Sequence, residues 1–232
     1  MGEEADLRTE LFLRSLELAY LEERARAYAP LKMLIDFVGA FALLVALSPI
    51  LFVCALLTKL EQPWEPVFFL QWRLGHRAKP FRIFKFRTMR PARETASHGK
   101  PLAKEDHEYR VTKLGAFLRK YKLDELPQLF NVLSGSMSLI GPRPLSLFDS
   151  ASIDPKYYNR YAVRPGMTGL WQSRHSSFSD GELKLRLDCE YAERIGFRID
   201  VEIVLSTIPM VLRGEERSNA ARPGRTGRDR AA

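Results

Sequence analysis

Between Phe37 and Leu57 the chain carries no charged residue. A helix of roughly 20 apolar residues is long enough to span a bilayer, so this segment restricts the available folds more than any other. Ser48-Pro49 interrupts it near the middle. Proline has no N–H and crowds the preceding turn, so the Val45 carbonyl loses its helical partner, a kink is expected, and Ser48 can bond back to a nearby carbonyl. Lys32 lies before the run and Lys59 after it. With basic residues at both ends the positive-inside rule gives no orientation, whereas a hairpin-like segment that enters and leaves on the cytoplasmic face accommodates both. A straight spanning helix with a tolerated proline and a buried helix of a soluble protein are the alternatives at this point.

The 232 residues suffice for one globular domain plus one or two appended helices. With 46% hydrophobic residues and a net charge of +8, the chain can bury a core and should attract anionic partners. Cys54 and Cys189 are the two cysteines, one inside the apolar run, which argues against a disulfide framework. The first thirty or so residues are rich in Glu and Arg and lack the apolar core of a cleavable signal. From Glu3 to Ala29 the pattern is an amphipathic helix, with Glu10/Arg14 and Glu22/Arg26 at i,i+4 spacing.

Beyond Glu61 the texture changes. Short aromatic runs from Val67 and Pro80 alternate as strands do. Eight basic residues and no acidic one lie between Arg73 and Arg93, a cluster suited to lipid headgroups or a phosphate-bearing substrate. Nucleic acid is the weaker reading, because no recognised nucleic-acid motif accompanies the charge. Residues Pro91 to Asp106 read as a mobile loop, and a short basic helix capped near Thr112 follows, carrying Arg119.

Leu118 to Pro144 holds the densest chemistry. Asp124 and Glu125 are adjacent, and Leu126-Pro127 places a helix start at Asp124 or Glu125, beside free backbone N–H groups. Apolar spacing then runs to a C-cap at Ser134-Gly135. Arg143 sits between Pro142 and Pro144, a rigid setting for a fork-shaped phosphate ligand, and Arg164-Pro165-Gly166 supplies a second constrained arginine. Further on, Tyr157 to Tyr161 is a short helix and Leu183 to Ile195 an amphipathic one. Ile199 to Leu212 turns Val201, Val204, Leu205 and Ile208 to one side, toward the core in preference to a membrane interface, with Pro209 breaking its end. The tail from Glu215 has a disordered composition.

Walker loops, GxGxxG, GxSxG and HExxH are all absent, and the four histidines are scattered. What remains is an acidic pair, a set of basic residues and a lipid-facing segment. A carboxylate can attack phosphorus, its neighbour can help hold Mg²⁺, and arginines can offset phosphoryl charge. An Asp-Glu pair alone is commonly no more than a helix N-terminal charge, and a membrane-anchored adaptor binding anionic partners through its basic cluster is the non-enzymatic alternative.

From Leu34 to Gly214 the chain resembles the bacterial polyprenyl-phosphate sugar-1-phosphate transferases, the monotopic phosphoglycosyl transferases. The resemblance rests on the Ser48-Pro49 run, KFRTM at Lys85 to Met89, LDELPQLFNVLSGSMSLIGPRP at Leu123 to Pro144, RPGMTGLWQ at Arg164 to Gln172, and LDCEYAE at Leu187 to Glu193. It implies an α+β, mostly helical fold: a re-entrant membrane helix broken at Ser48 and Pro49, and a small catalytic domain with short strands. That domain would lie on the cytoplasmic face of the bacterial inner membrane. The implied division is an N-terminal helix at 1–30, the membrane helix at 31–60, the catalytic domain at 61–214 and a basic tail at 215–232. The implied partners are a nucleotide diphospho-sugar, polyprenyl phosphate and membrane lipids, without nucleic acid; a homo-oligomer is left open. Asp124 would be the nucleophile, with Glu125 its partner in a Mg²⁺ site. Arg119, Lys85, Arg87 and Arg143 would contact phosphate, and Arg164 the nucleotide end. Departures from the usual pattern are Ser173 to Ser177, Ala78 where a second glycine often follows Gly75, and Trp171 where many relatives carry Ala.

Overall fold

A computed structural model describes residues 2–91, 110–174 and 181–213. The loop expected at Pro91 to Asp106 falls almost wholly outside them, as do the tail and residues 175–177. The described chain is mostly helical, with two small sheets.

The first helix, α1 (Gly2–Glu61), carries the N-terminal segment and the apolar run in one helical stretch that contains Pro30 and Pro49. At Ser48-Pro49 the expected substitution of partners occurs: Ser48 Oγ donates to the Val45 carbonyl at 2.8 Å, taking the place of the missing proline N–H. The stretch Ala25–Glu61 is long and apolar enough to cross a membrane, and only 11% of its most apolar window is buried. What is sheltered forms a stripe. Buried Asp36, Ala40, Cys54 and Thr58 and half-buried Leu44, Leu47 and Leu51 recur every three or four residues and turn inward, while Phe41, Val45, Phe52 and Leu60 are exposed.

The rest of the chain packs along that stripe. β1 (Phe68–Leu74) and β2 (Pro80–Phe86) form an antiparallel hairpin, as the alternating aromatics predict. Ile83 of β2 joins Ala40, Leu129, Val132 and Met137 in one apolar cluster, and Phe86 joins Cys54 and Leu118 in another further along α1. Between β1 and β2, Arg77 and Ala78 both adopt positive φ, 55° and 54°. Helix α2 (Lys113–Lys120) starts where expected, with Thr112 Oγ1 accepting from the Gly115 N–H at 2.9 Å.

The acidic pair departs from expectation. Asp124 and Glu125 lie in a tight 3₁₀ turn, Leu123–Glu125, and α3 begins only at Gln128. Pro127 explains the delay: it has no N–H for the Leu123 carbonyl, which accepts from Leu126 N at 3.3 Å instead. α3 (Gln128–Leu133) ends as predicted, at Ser134 followed by Gly135 with φ 75°.

β3 (Ser138–Ile140) pairs in parallel with β4 (Gly166–Thr168), which brings Gly141-Pro142-Arg143-Pro144 beside Arg164-Pro165-Gly166. The approach needs glycine: a Cβ on Gly141 would stand 2.4 Å from the Arg164 carbonyl, and one on Gly166 2.0 Å from the Gly141 nitrogen. α4 (Leu147–Ala151) and a 3₁₀ segment, Pro155–Ala162, lead to β4; α5 (Leu170–Arg174), α6 (Gly181–Arg194) and α7 (Phe197–Arg213) follow. In α7 the expected core face is not the buried one. Ile199 and Ile203 enter the third apolar cluster, with Tyr191 and Leu187, whereas Val201, Val204, Leu205 and Ile208 are exposed. Nor does Pro209 end the helix, which runs on to Arg213. Both cysteines are free and buried.

Candidate active site

Asp124 and Glu125 open onto a polar cavity of about 500 Å³. The hairpin supplies Phe69, Gln71, Arg73, Lys85 and Arg87; α2 and the turn after it supply Arg119 and Lys122; the Pro-Arg-Pro loop supplies Arg143. The local fold explains the convergence: Lys122 adopts a left-handed φ of 58°, which turns the chain out of α2 and sets the 3₁₀ turn under the cationic hairpin.

The two carboxylates are treated differently. Glu125 Oε1 accepts from Lys85 Nζ at 2.6 Å and from Arg143 Nη2 at 2.8 Å. Burial alone would raise its pKa, but Arg143 and then Lys85 outweigh burial and hold it well below the ordinary carboxylate range. Asp124 is also buried but accepts no hydrogen bond from any described residue. Burial, reinforced by the charge of Glu125, raises its pKa against the opposing pull of Lys85, Arg119 and Lys122. The site thus couples one locked, ionised carboxylate to one that is unengaged and destabilised, a difference useful for a nucleophile.

Lys85 also has its pKa lowered by burial, with Glu125 acting against the shift. Arg119 lines the cavity with its Nε donating to Thr88 Oγ1 at 2.8 Å. Arg87 lines it too, anchored through Nε to the Pro66 carbonyl at 2.9 Å. Arg164 does not join them. Its Nη2 lies 3.2 Å from Asp36 Oδ2, and it lines a separate cavity of about 240 Å³ with Lys32 and Arg77. Arg164 thus lies outside the polar cavity and ties the Arg-Pro-Gly loop to α1.

Among the described residues no three His, Cys, Asp or Glu side chains form a metal-binding cluster. The pair instead suits an ion completed by substrate. Asp124 has its acceptor capacity free of described donors, and Glu125 uses only Oε1 in its two contacts. Mg²⁺ is commonly held by one or two carboxylates together with phosphate oxygens and water, so Asp124 and Glu125 fit that role.

A second cavity, about 580 Å³, adjoins the first and is mostly apolar. Leu43, Leu47 and Ile50 of α1, Met167, Trp171, and Val204 and Ile208 of α7 line it. Lys122, Glu125 and Arg143 border both cavities.

The family model described as bacterial sugar transferase matches residues 27–214. The chain belongs to the bacterial sugar transferase family. Similar members include the UDP-N-acetylgalactosamine-undecaprenyl-phosphate N-acetylgalactosaminephosphotransferase of Aeromonas hydrophila, 40% identical over 195 residues, 81% of this chain and 45% of that protein. The UDP-glucose:undecaprenyl-phosphate glucose-1-phosphate transferase of Caulobacter vibrioides is 40% identical over 190 residues, 78% of this chain and 69% of its own length. The exopolysaccharide production protein PSS of Rhizobium leguminosarum is 38% identical over 189 residues, 77% of this chain and 93% of its own. This sugar transferase family chain thus spans less than half of the Aeromonas protein and nearly all of the Rhizobium one.

Several cavity residues escape a reading by motif. Lys122, Gln71 and Arg73 line the polar cavity of this sugar transferase family member without belonging to a distinctive pattern. Only the basic run around Arg73 offered a signal.

Proposed function

We propose that the chain transfers a sugar-1-phosphate from a nucleotide diphospho-sugar, a UDP-sugar, to polyprenyl phosphate through a covalent phosphosugar on Asp124. The observation that carries this reading is the contrast at the acidic pair: Glu125 is held by Lys85 and Arg143, while Asp124 faces the cationic cavity with no described donor on its carboxylate. The family's relatives named as UDP-sugar:undecaprenyl-phosphate transferases support the choice of substrates.

In the first half-reaction an Asp124 carboxylate oxygen attacks the sugar-bearing phosphorus. An O–P bond forms, the phosphoanhydride P–O bond breaks, and UMP leaves with that electron pair. Lys85, Arg87, Arg119 and Arg143 are placed to offset charge on the phosphoryl oxygens, the principal task in such transfers. Mg²⁺ bound by Asp124 and Glu125 would supply further charge neutralisation for the diphosphate. In the second half-reaction a phosphate oxygen of the acceptor attacks the same phosphorus and the Asp124–phosphorus bond breaks. The product is a polyprenyl diphospho-sugar and the carboxylate is restored.

The two cavities suit this exchange. The donor's charge belongs in the polar one, and the acceptor's isoprenoid chain in the apolar one between α1 and α7, with its phosphate at Lys122 and Arg143 where the two meet. The inward stripe of α1 supports a monotopic placement. From Asp36 to Thr58, roughly 33 Å at the usual helical rise, each turn directs a buried or half-buried residue toward the remainder of the chain. A segment crossing the bilayer upright would leave that body behind on one side. The exposed faces of α1 and α7 then enter the lipid, the catalytic domain remains on the cytoplasmic face of the inner membrane, and Ser48-Pro49, inside the continuous α1, is the place for a bend in the segment.

The test is donor without acceptor. Wild-type protein in nanodiscs with Mg²⁺ and the correct UDP-sugar should release UMP stoichiometrically and gain the mass of one sugar phosphate, and Asp124→Asn should do neither. Turnover only in the presence of acceptor, with no mass gain, would establish direct transfer and remove the nucleophile.

A further inference from the structure

A buried ion pair lies behind the site. Arg160, in the 3₁₀ segment, and Asp188, in α6, meet at 2.6 Å with side chains only 1% and 3% exposed. Both reach the same backbone. Arg160 Nη2 donates to the Arg143 carbonyl at 2.5 Å, and the Arg143 N–H donates to Asp188 Oδ1 at 3.4 Å. Pro142 and Pro144 flank Arg143 and offer no N–H of their own, so the pair grips the one N–H of the Pro-Arg-Pro backbone together with the Arg143 carbonyl.

The pair is poorly explained as a stabilising feature alone. Removing two charges from water costs several kcal/mol each, and apolar residues of similar volume often serve a core as well or better. Arg160 is also incompletely satisfied, since its Nε and Nη1 are buried with no hydrogen-bond partner among the described residues. The retained contacts concentrate on Arg143, whose other end reaches Glu125 at 2.8 Å.

We propose that Arg160 and Asp188 are positioning residues that fix the Arg143 backbone so that its guanidinium holds Glu125 beside Asp124. This rests on the reading of Asp124 and Glu125 as the reacting pair. Neither positioning residue lines the polar or the apolar cavity. They act through the loop, and their effect should appear in the rate of the chemical step more than in donor binding. Displacement of a catalytic group by about 1 Å can cost roughly 100-fold in rate.

The experiment compares wild type with Arg160→Met/Asp188→Leu, which exchanges the pair for apolar residues, and with Asp188→Asn, which retains its shape. Full-length protein in nanodiscs is mixed with donor alone and the burst of UMP is followed. The double variant is expected to melt within a few degrees of wild type and give the same burst amplitude, with a burst rate about 100-fold lower. Asp188→Asn should fall between the two. A wild-type burst rate in the double variant would overturn the proposal. So would a reduced amplitude at unchanged rate, which is the signature of a partly unfolded population. If wild type gives no burst, the covalent reading has failed, not the pair, and steady-state kcat with acceptor present decides by the same criterion: wild-type kcat in the double variant refutes positioning.

Discussion

Arg164 and Asp36 meet at 3.2 Å although 128 residues separate them in sequence. Asp36 also accepts from Ser138 Oγ at 2.9 Å and from Leu139 N at 3.0 Å, so one carboxylate on α1 ties together β3 and the Arg-Pro-Gly loop. Lys32, one turn earlier, reaches Asp200 of α7 at 2.7 Å, and Tyr191 donates to the same carboxylate at 2.7 Å. A polar seam thus joins α1 to β3, the Arg-Pro-Gly loop and α7. Asp36→Ala would leave Arg164 without its acidic partner, strip the acceptor from the half-buried Leu139 N–H and leave Ser138 Oγ only the Ile140 carbonyl. Breaking such a pair typically costs about 3 kcal/mol. The expected outcome is a clearly lowered melting temperature in detergent, whereas Asp36→Asn, which keeps an acceptor, should lose less.

Glu125→Gln probes the locked half of the acidic pair. The amide cannot match the charge of Lys85 at 2.6 Å or Arg143 at 2.8 Å, so both cations should loosen and Asp124 should lose its fixed neighbour. A loss of about 100-fold in the rate of UMP release is expected, comparable to removing one preorganised electrostatic contact. Circular dichroism and melting should change little, because the site is a cavity wall and not a packed core. A variant within threefold of wild type would show that the Glu125 charge is dispensable.

How much of this was legible in the residues depends on the range of the forces involved. The hairpin, the Thr112 cap and the Gly135 helix end follow from local chemistry, and the sequence pattern locates them correctly. Motifs also drew attention to Asp124, Glu125, Lys85 and Arg143, which the fold brings together. The inward stripe of α1 was hidden, because Ala40, Leu44 and Cys54 are as apolar as the exposed residues beside them. The Arg164–Asp36 contact is hidden for a related reason: a constrained arginine suits a phosphate or a carboxylate equally, and the Asp36 partner is set by β3–β4 pairing. α7 misled because its apolar stripe says which residues avoid water, without distinguishing protein interior from lipid. The helix start failed on one missing N–H at Pro127, to which the 3₁₀ turn is the local solution.

Activity should depend on pH through Asp124. Burial raises its pKa above the ordinary value, and the nucleophilic form is the deprotonated one. The rate of the donor half-reaction should therefore be full at alkaline pH and fall as pH drops through that raised pKa, at a higher pH than an unperturbed aspartate would give. Glu125 contributes no loss in the same range, because its pKa is shifted in the opposite direction and it stays ionised. Burst rates measured across pH in one buffer system test this. An acid limb at the unperturbed aspartate value would remove burial as the controlling influence.

Two left-handed residues allow strain at a turn to be separated from strain at a site. Ala78 has φ 54° in the hairpin connection, where Ala78 N bonds to the Gly75 carbonyl at 3.0 Å, and Lys122 has φ 58° immediately before the acidic turn. A side chain in this region costs about 1–2 kcal/mol relative to glycine. Glycine's greater freedom in the unfolded chain returns roughly 0.4–1 kcal/mol of that gain. Ala78→Gly should therefore raise stability by a little under 1 kcal/mol, or about 2 °C in melting temperature for a chain of this size, with UMP release unchanged. Lys122→Gly relieves the same backbone strain but removes a cation that borders both cavities. It should melt no lower than wild type while losing activity, the pattern expected where strain is retained for function. If Lys122→Gly remained fully active, the left-handed residue would be a tolerated turn with no part in either cavity.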